Sequence, residues 1–136
     1  MKRKVSLLLF FLLTACAPNP ESPSVLIHAI LYDGFELANM DEMVVLINIS
    51  DEAVDIGGWQ ITDGESGTAV LPPRTTIQPS QPIWLAKSGT AVSNRFQHVS
   101  DFELVDSHPL IAQLLGTWPT LSDGGDQLLL LDAEQR

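Results

Sequence analysis

The side chains able to carry reaction chemistry are few in this 136-residue chain, and their spacing limits what they can do. His28, His98 and His108 are too far apart to form a helical metal pair of the H-x-x-x-H kind, so each reads as a structural or surface residue. Asp123 and Asp126 flank Gly124-Gly125. Carboxylates in such turns cap backbone N–H groups, and the sharper alternative is a calcium site, since Ca²⁺ takes carboxylate and carbonyl oxygens. Their spacing is not that of an EF-hand loop. Asp101, Glu103 and Asp106 form a looser acidic set, expected on a solvated face. Trp118, next to Pro119, is the candidate for an exposed binding aromatic. The patterns G-x-S-x-G, H-x-K and H-E-x-x-H and a phosphate-cradling glycine loop are all missing from the sequence. Catalysis would need distant residues brought together by folding. The expectation is a non-enzyme with no metal or dissociable cofactor.

The single cysteine, Cys16, excludes an intrachain disulfide and a multi-cysteine zinc site. Its surroundings point to a different chemistry. Lys2, Arg3 and Lys4 make a basic start, and residues 5–13 are an apolar run interrupted by Ser6. That run is well short of the roughly 20 residues that span a bilayer and fits the apolar core of an export signal. Leu13-Thr14-Ala15-Cys16 resembles a bacterial lipobox. The resemblance implies cleavage before Cys16, a diacylglycerol on its thiol and an N-acyl chain on its new amino terminus. An ordinary secretory peptide with an incidental cysteine is the alternative. Each buried lipid CH₂ contributes about 0.8 kcal/mol, and stable anchoring takes more than one chain. Residues 1–15 are thus expected to be a signal peptide. Residues 16–24, with Pro18, Pro20 and Pro23, are expected to be a tether.

Charge limits the partners. The chain carries 7 Lys+Arg against 17 Asp+Glu, a formal net charge of −10. Loss of the first 15 residues takes Lys2, Arg3 and Lys4 and no acid, leaving 4 against 17 and a balance of −13. Such a surface repels nucleic acid and anionic lipid headgroups alike, so the anchor would have to hold it at the membrane.

These residues need a scaffold, and the pattern from residue 25 onward is that of short strands. Residues 25–32 and 42–50 are apolar, strand-length runs; 54–56 and 59–62 alternate apolar with polar; 69–71, 75–77, 83–86 and 127–132 are further extended pieces. Between them lie Asp33-Gly34, Gly57-Gly58, residues 63–67, Pro72-Pro73, and Ser122-Asp123-Gly124-Gly125, all strong turn chemistry. This is the signature of an all-β sandwich or barrel. Two segments depart from it. Residues 90–96 read as a turn of helix, and Leu110, Ile111, Leu114 and Leu115 have the spacing of a short helix within 104–115, or of an ordered loop.

The stretch from Asp41 through Asn48, Asp55-Ile56-Gly57-Gly58-Trp59-Gln60-Ile61 and Thr62-Asp63 resembles the core motif of bacterial lamin-tail domains. Residues 71–79 are similar to that family's P-x-G-T-x-[IL]-x-P, with Arg74 where glycine is usual, and residues 121–132 are similar to its L-S-N-x-G-D-x-[LIV]-x-L-x-D. Val45 stands where a second Glu is frequent, and residues 97–116 are longer than usual. The resemblance implies an immunoglobulin-like β-sandwich over residues 25–136, with Asn48, Gly58, Trp59 and Asp63 as its structural motif. Ala133-Glu134-Gln135-Arg136 fall where the family enters its last strands, which leaves open either an open-edged sandwich or the first part of a longer lipoprotein hydrolase. The resemblance also implies an extracytoplasmic interaction module. The expectation is therefore a non-catalytic domain held at the cell membrane or envelope by lipid, meeting a protein or cell-surface partner and not nucleic acid. A calcium or carbohydrate binder using Trp118, Asp123 and Asp126 is the third reading.

Overall fold

A computed structural model describes residues 23–122 and 125–136 of the chain. Cys16, the expected signal peptide, most of the expected tether and Asp123 lie outside the described residues. The first strand, β1 (Val25–Leu31), starts where the proline-rich composition ends. It is followed by a single 3-10 turn at Leu37–Asn39 and by β2 (Met43–Asn48), β3 (Val54–Asp55), β4 (Gln60–Thr62), β5 (Thr68–Val70), β6 (Thr76–Ile77) and β7 (Pro82–Ser88). Next come the helix α1 (Gly89–Phe96), then β8 (Phe102–Val105), β9 (Ala112–Gln113), β10 (Leu115–Gly116) and β11 (Leu129–Leu131).

Two sheets form the layers. One has the order β1-β2-β7-β8-β9 and the other β10-β5-β4-β11, with β3 and β6 paired separately. The core lies between the two layers. Val44, Leu46, Ile83 and Leu85 come from the five-stranded sheet and Ile61 and Ala69 from the four-stranded one, with Ile56, Leu71 and Ile77 from the connecting pieces. This architecture is mostly β with one short helix, and its sheets are consistent with an immunoglobulin-like sandwich.

The five-stranded sheet is buried on its second face as well. Met43, Val45 and Ala86 alternate with the core residues on β2 and β7 and pack against Val92 of α1. This explains why β2 is a continuous apolar run, since a strand covered on both faces has no polar side to show. The helix is the crossover that lets β7 and β8 pair in parallel, and β8 and β9, joined by a turn, are parallel as well. Its start is capped by Ser88, whose hydroxyl accepts from the Ala91 N–H, and it ends at Gln97 in the left-handed conformation.

A bulge at His28 changes the facing of β1. Val25 and Ile27 belong to the core, but the register shifts between Ile27 and Ala29, and beyond it Ala29 and Leu31 pack on the helix side. Ile30, opposite Val44, is turned to the interlayer side at a point where it remains exposed.

The short helix expected within 104–115 is not formed. The segment is β8, a turn, β9 and β10. The four apolar residues do not act as one helical face: Ile111 and Leu114 are buried while Leu110 and Leu115 are exposed. The Leu114 N–H instead bonds to the Glu103 carbonyl at 2.7 Å, tying the segment to the parallel sheet.

Candidate interaction surface

Three buried carboxylates organise the loops. Asp63 follows β4, and its Oδ1 accepts the backbone N–H groups of Glu65, Ser66 and Gly67 at 2.8, 2.8 and 3.1 Å. Its Oδ2 accepts the Ser66 hydroxyl and, from far along the chain, the Thr120 N–H at 2.9 Å. The Ser66 hydroxyl bond, helped by the backbone donors, outweighs burial and holds the Asp63 carboxyl far below the usual carboxylate range. Glu103 on β8 does the same for the start of α1 and the turn after β8. It accepts from Gly89 N–H at 2.7 Å, His108 N–H at 2.8 Å, Ser107 N–H at 3.1 Å, the Ser107 hydroxyl and Gln113 Nε2. Burial pushes its carboxyl up, and these donors more than reverse the shift. A Cβ at position 89 would meet the Ile111 terminal methyl and crowd this carboxylate, so glycine gives both room there.

Asp41 is the third, and what it holds is different. Its Oδ2 accepts the Phe35 N–H at 3.1 Å and its Oδ1 the Glu36 N–H at 3.0 Å. A Cβ on Gly34 would run into this carboxylate, so glycine is again needed beside it. The Arg95 Nε lies 3.5 Å from Oδ2, and its guanidinium carbon sits 3.8 Å from the centroid of the Phe35 ring. Burial raises the Asp41 carboxyl; the Glu36 and Phe35 N–H groups and the Arg95 charge overcome this and hold it below its ordinary value. Lys87 completes the clamp, with Nζ 3.0 Å from Glu42 Oε2 and 2.9 Å from the Ala38 carbonyl. The loop turns through Ala38 and Asn39, with φ of 58° and 52°. Left-handed backbone costs about 1–2 kcal/mol per residue with a Cβ, less for Asn.

This framework holds large apolar side chains out in water. Phe35 is 77% exposed and Leu37 91%. Tyr32 and Ile30, also exposed and earlier on the same segment, line a cleft of about 260 Å³ completed by Leu121, Asp126 and Leu128.

The sequence-derived candidates fall elsewhere. Trp118 is not an exposed aromatic: it is 8% exposed and belongs to the core, where its Nε1 has no hydrogen-bond partner among the described residues. Gly67 has no side chain to keep the Trp118 carbonyl away, and that close approach lets the loop lie flat on the sandwich. Glu103 corrects the expectation of a solvated acidic face, although Asp101 and Asp106 are exposed. Asp126 spans its own turn, accepting from the Ser122 and Gln127 N–H groups. His28, His98 and His108 stay apart. His98 lies against Trp84, ring centroids 4.2 Å apart, and His108 Nδ1 accepts the Leu110 N–H. Trp84 is half-buried on the helix side and Trp59 half-buried against the core. Gly58 has φ of 79°, which suits glycine at the bend before β4.

Asn48, at the end of β2, is a neutral counterpart of the buried acids. Its Nδ2 donates to the Glu52 and Ile77 carbonyls at 2.7 and 3.1 Å, and its Oδ1 accepts the Ser50 N–H and hydroxyl. Asn48 thus fastens the turn after β2, and Gly58-Trp59 and Asp63 flank the two ends of β4; residues 18–136 match the Lamin Tail Domain family. The chain belongs to the lamin tail domain family. A comparison with curated proteins gives no match.

The lamin tail domain is a protein-interaction module, and this typically non-catalytic domain is what is detected in the chain. Among the described residues, no group of three or more His, Cys, Asp or Glu side chains could hold a metal ion. Within this lamin tail domain Asp41, Asp63 and Glu103 have their oxygens committed to donors of the adjoining loops, so these three carboxylates serve as fasteners. No helix of the described residues is long and apolar enough to cross a membrane. Sequence reasoning missed Asp41, Phe35, Leu37 and Arg95. The available signal was two large apolar residues, Phe35 and Leu37, interleaved with acids after a Asp33-Gly34 turn, where no strand could bury them.

Proposed function

We propose that this lamin tail domain works as a lipid-tethered, extracytoplasmic docking module with no catalytic role of its own. The tether would be diacylglycerol and an N-acyl chain on Cys16 at the membrane or envelope surface, with residues 17–24 as the spacer. The observation that carries the reading is one chain with two parts: an interaction fold, and before it a basic start, a short apolar run and Leu13-Thr14-Ala15-Cys16. The strongly acidic surface supports lipid in place of a basic patch as the anchor.

Expression of the full chain with and without Cys16→Ser tests this. The native chain should fractionate with membranes and incorporate a labelled fatty acid. The Cys16→Ser chain should lose the label and be either released or left unprocessed. Identical fractionation and identical labelling of the two would refute the anchor. The reading as a calcium or carbohydrate binder loses its main residue, since Trp118 is buried.

A further inference from the structure

We infer that the 32–40 loop is the docking element of this module, and that it inserts Phe35 and Leu37 into an apolar pocket on a protein partner whose rim carries Lys or Arg. The inference rests on the interaction-module reading and adds to it the surface and the chemistry of the partner. Three observations carry it.

The first is preorganisation. Two backbone N–H groups of the loop are bonded to a fully buried carboxylate, its Ala38 carbonyl is bonded to Lys87, and the Phe35 ring is covered on one face by Arg95. Apolar anchors held this way lose little conformational freedom when a partner closes over them. The second is continuity. Ile30, Tyr32, Phe35 and Leu37 are successive exposed apolar side chains on one connected segment, whereas Leu110, also exposed, stands between Pro109 and buried Ile111. Large apolar side chains grouped in this way mark interaction sites. The third is charge. Asp33 and Glu36 are exposed beside the anchors, while the two nearby cations are already paired, Lys87 with Glu42 and Arg95 with Asp41. The uncompensated charge of the loop is negative. It attracts a basic rim and is repelled by anionic headgroups, which selects a protein pocket over a bilayer.

The test uses the full chain in detergent, screened against a displayed library of random peptides. Enriched peptides should combine Leu, Phe or Trp with Lys or Arg. The best of them, synthesised, should bind at least about tenfold more weakly to the Phe35→Ser/Leu37→Ser chain. It should also bind more weakly to Asp33→Lys/Glu36→Lys, and more weakly as salt rises from roughly 0.05 to 0.5 M. All four substitutions are at exposed positions, and unchanged thermal unfolding of each variant confirms that the fold is retained. Peptides that bind wild type and both variants equally would overturn the docking loop while leaving the interaction module standing. Acidic or uncharged consensus peptides would overturn the proposed partner chemistry. A screen that enriches nothing would overturn the loop and the module reading together. A separate arm attaches an environment-sensitive dye to the full-length Cys16→Ser/Leu37→Cys chain. A blue shift with phosphatidylcholine vesicles, with or without phosphatidylglycerol, would make the bilayer the occupant and overturn the proposal; an unchanged spectrum supports it.

Discussion

The loops built on Asp63 and Asp41 use the same device for opposite ends. Each has a carboxylate buried beside the end of an interior strand, accepting backbone N–H groups from a neighbouring loop. Around Asp63 the hydrogen bonds close the turn on itself. The Thr62 hydroxyl donates to the Gly67 carbonyl at 2.7 Å and accepts the Gly64 N–H, and the Asp63 carboxylate reaches Thr120, 57 positions further along the chain. The residues left outside, Glu65 and Ser66, are polar. Around Asp41 the fixed backbone faces outward and the residues left outside are Phe35 and Leu37. A buried acid in a loop therefore says that the backbone is fixed and not what for. The side chains that remain in water distinguish a closure from a display.

Acid should produce the largest effect, because it acts on all three fasteners at once. Asp41, Asp63 and Glu103 all have folded-state values below their ordinary ones of 3.8, 3.8 and 4.5. The unfolded chain then binds more protons than the folded one at low pH. Their stabilisation is complete above about pH 5 and is lost as pH falls through the folded-state values, at up to about 1.4 kcal/mol per pH unit for each carboxylate. Urea midpoints should be level from pH 7 to about 5 and then fall steeply. A midpoint unchanged down to pH 3 would contradict the role given to these acids. Hydrogen exchange separates the two loops. At Asp41 the leading influence is burial, which opposes ionisation, whereas the leading influence at Asp63 is the Ser66 hydroxyl that favours it. The Phe35 and Glu36 amides should lose protection at a higher pH than those of Glu65 and Ser66.

Single substitutions come next. Asp63→Asn puts an amide N–H₂ against either the backbone donors or the Ser66 hydroxyl and Thr120 N–H. The expected cost is about 3 kcal/mol by urea unfolding, since a buried, multiply bonded charge is being lost. Asp41→Asn also leaves Arg95 without its partner, but that guanidinium is partly in water, and about 2 kcal/mol is expected. If the two costs are reversed, the display loop is the better fastened of the two. Phe35→Ser/Leu37→Ser should change stability by less than about 0.5 kcal/mol, because exposed side chains contribute little to folding.

How much of this could be seen in the sequence differs by layer. The strands of the sandwich were legible because alternation and turn residues report directly on a two-layer fold: β1, β2 and β7 lie where the apolar runs are. The helix α1 was legible in place but not in purpose, since nothing local says that Val92 covers the second face of the five-stranded sheet. Residues 110–115 misled because helical spacing of leucines is compatible with alternating burial in an irregular segment. Trp118 misled for a related reason. Its place before Pro119 suggests a surface loop, but burial there is decided by the approach of Gly67, fifty-one positions earlier in the chain. The buried acids were the least legible. Asp41 and Glu103 are ordinary acids in the sequence, and only folding brings Phe35, Gly89 and Ser107 N–H groups to them.

The smallest expected effect is also the most diagnostic. Ala38 and Arg74 both have left-handed backbone, φ of 58° and 65°. Glycine removes the Cβ strain at such a position but gives the unfolded chain more freedom, so the net gain for either Ala38→Gly or Arg74→Gly is about 0.5–1 kcal/mol. Thermal unfolding should therefore show both variants slightly stabilised. The two should part company in binding. Arg74 lies in the turn before β6 and carries no role in docking, so its variant should bind any peptide ligand of the 32–40 loop as wild type does. At position 38 the Cβ helps to confine the backbone that carries Phe35 and Leu37, and glycine restores freedom that binding would have to remove. Ala38→Gly should therefore be more stable and yet a severalfold weaker binder. Equal binding by the two glycine variants would mean that Asp41, Lys87 and Arg95 fix the loop unaided, and that the left-handed residues are incidental to its presentation.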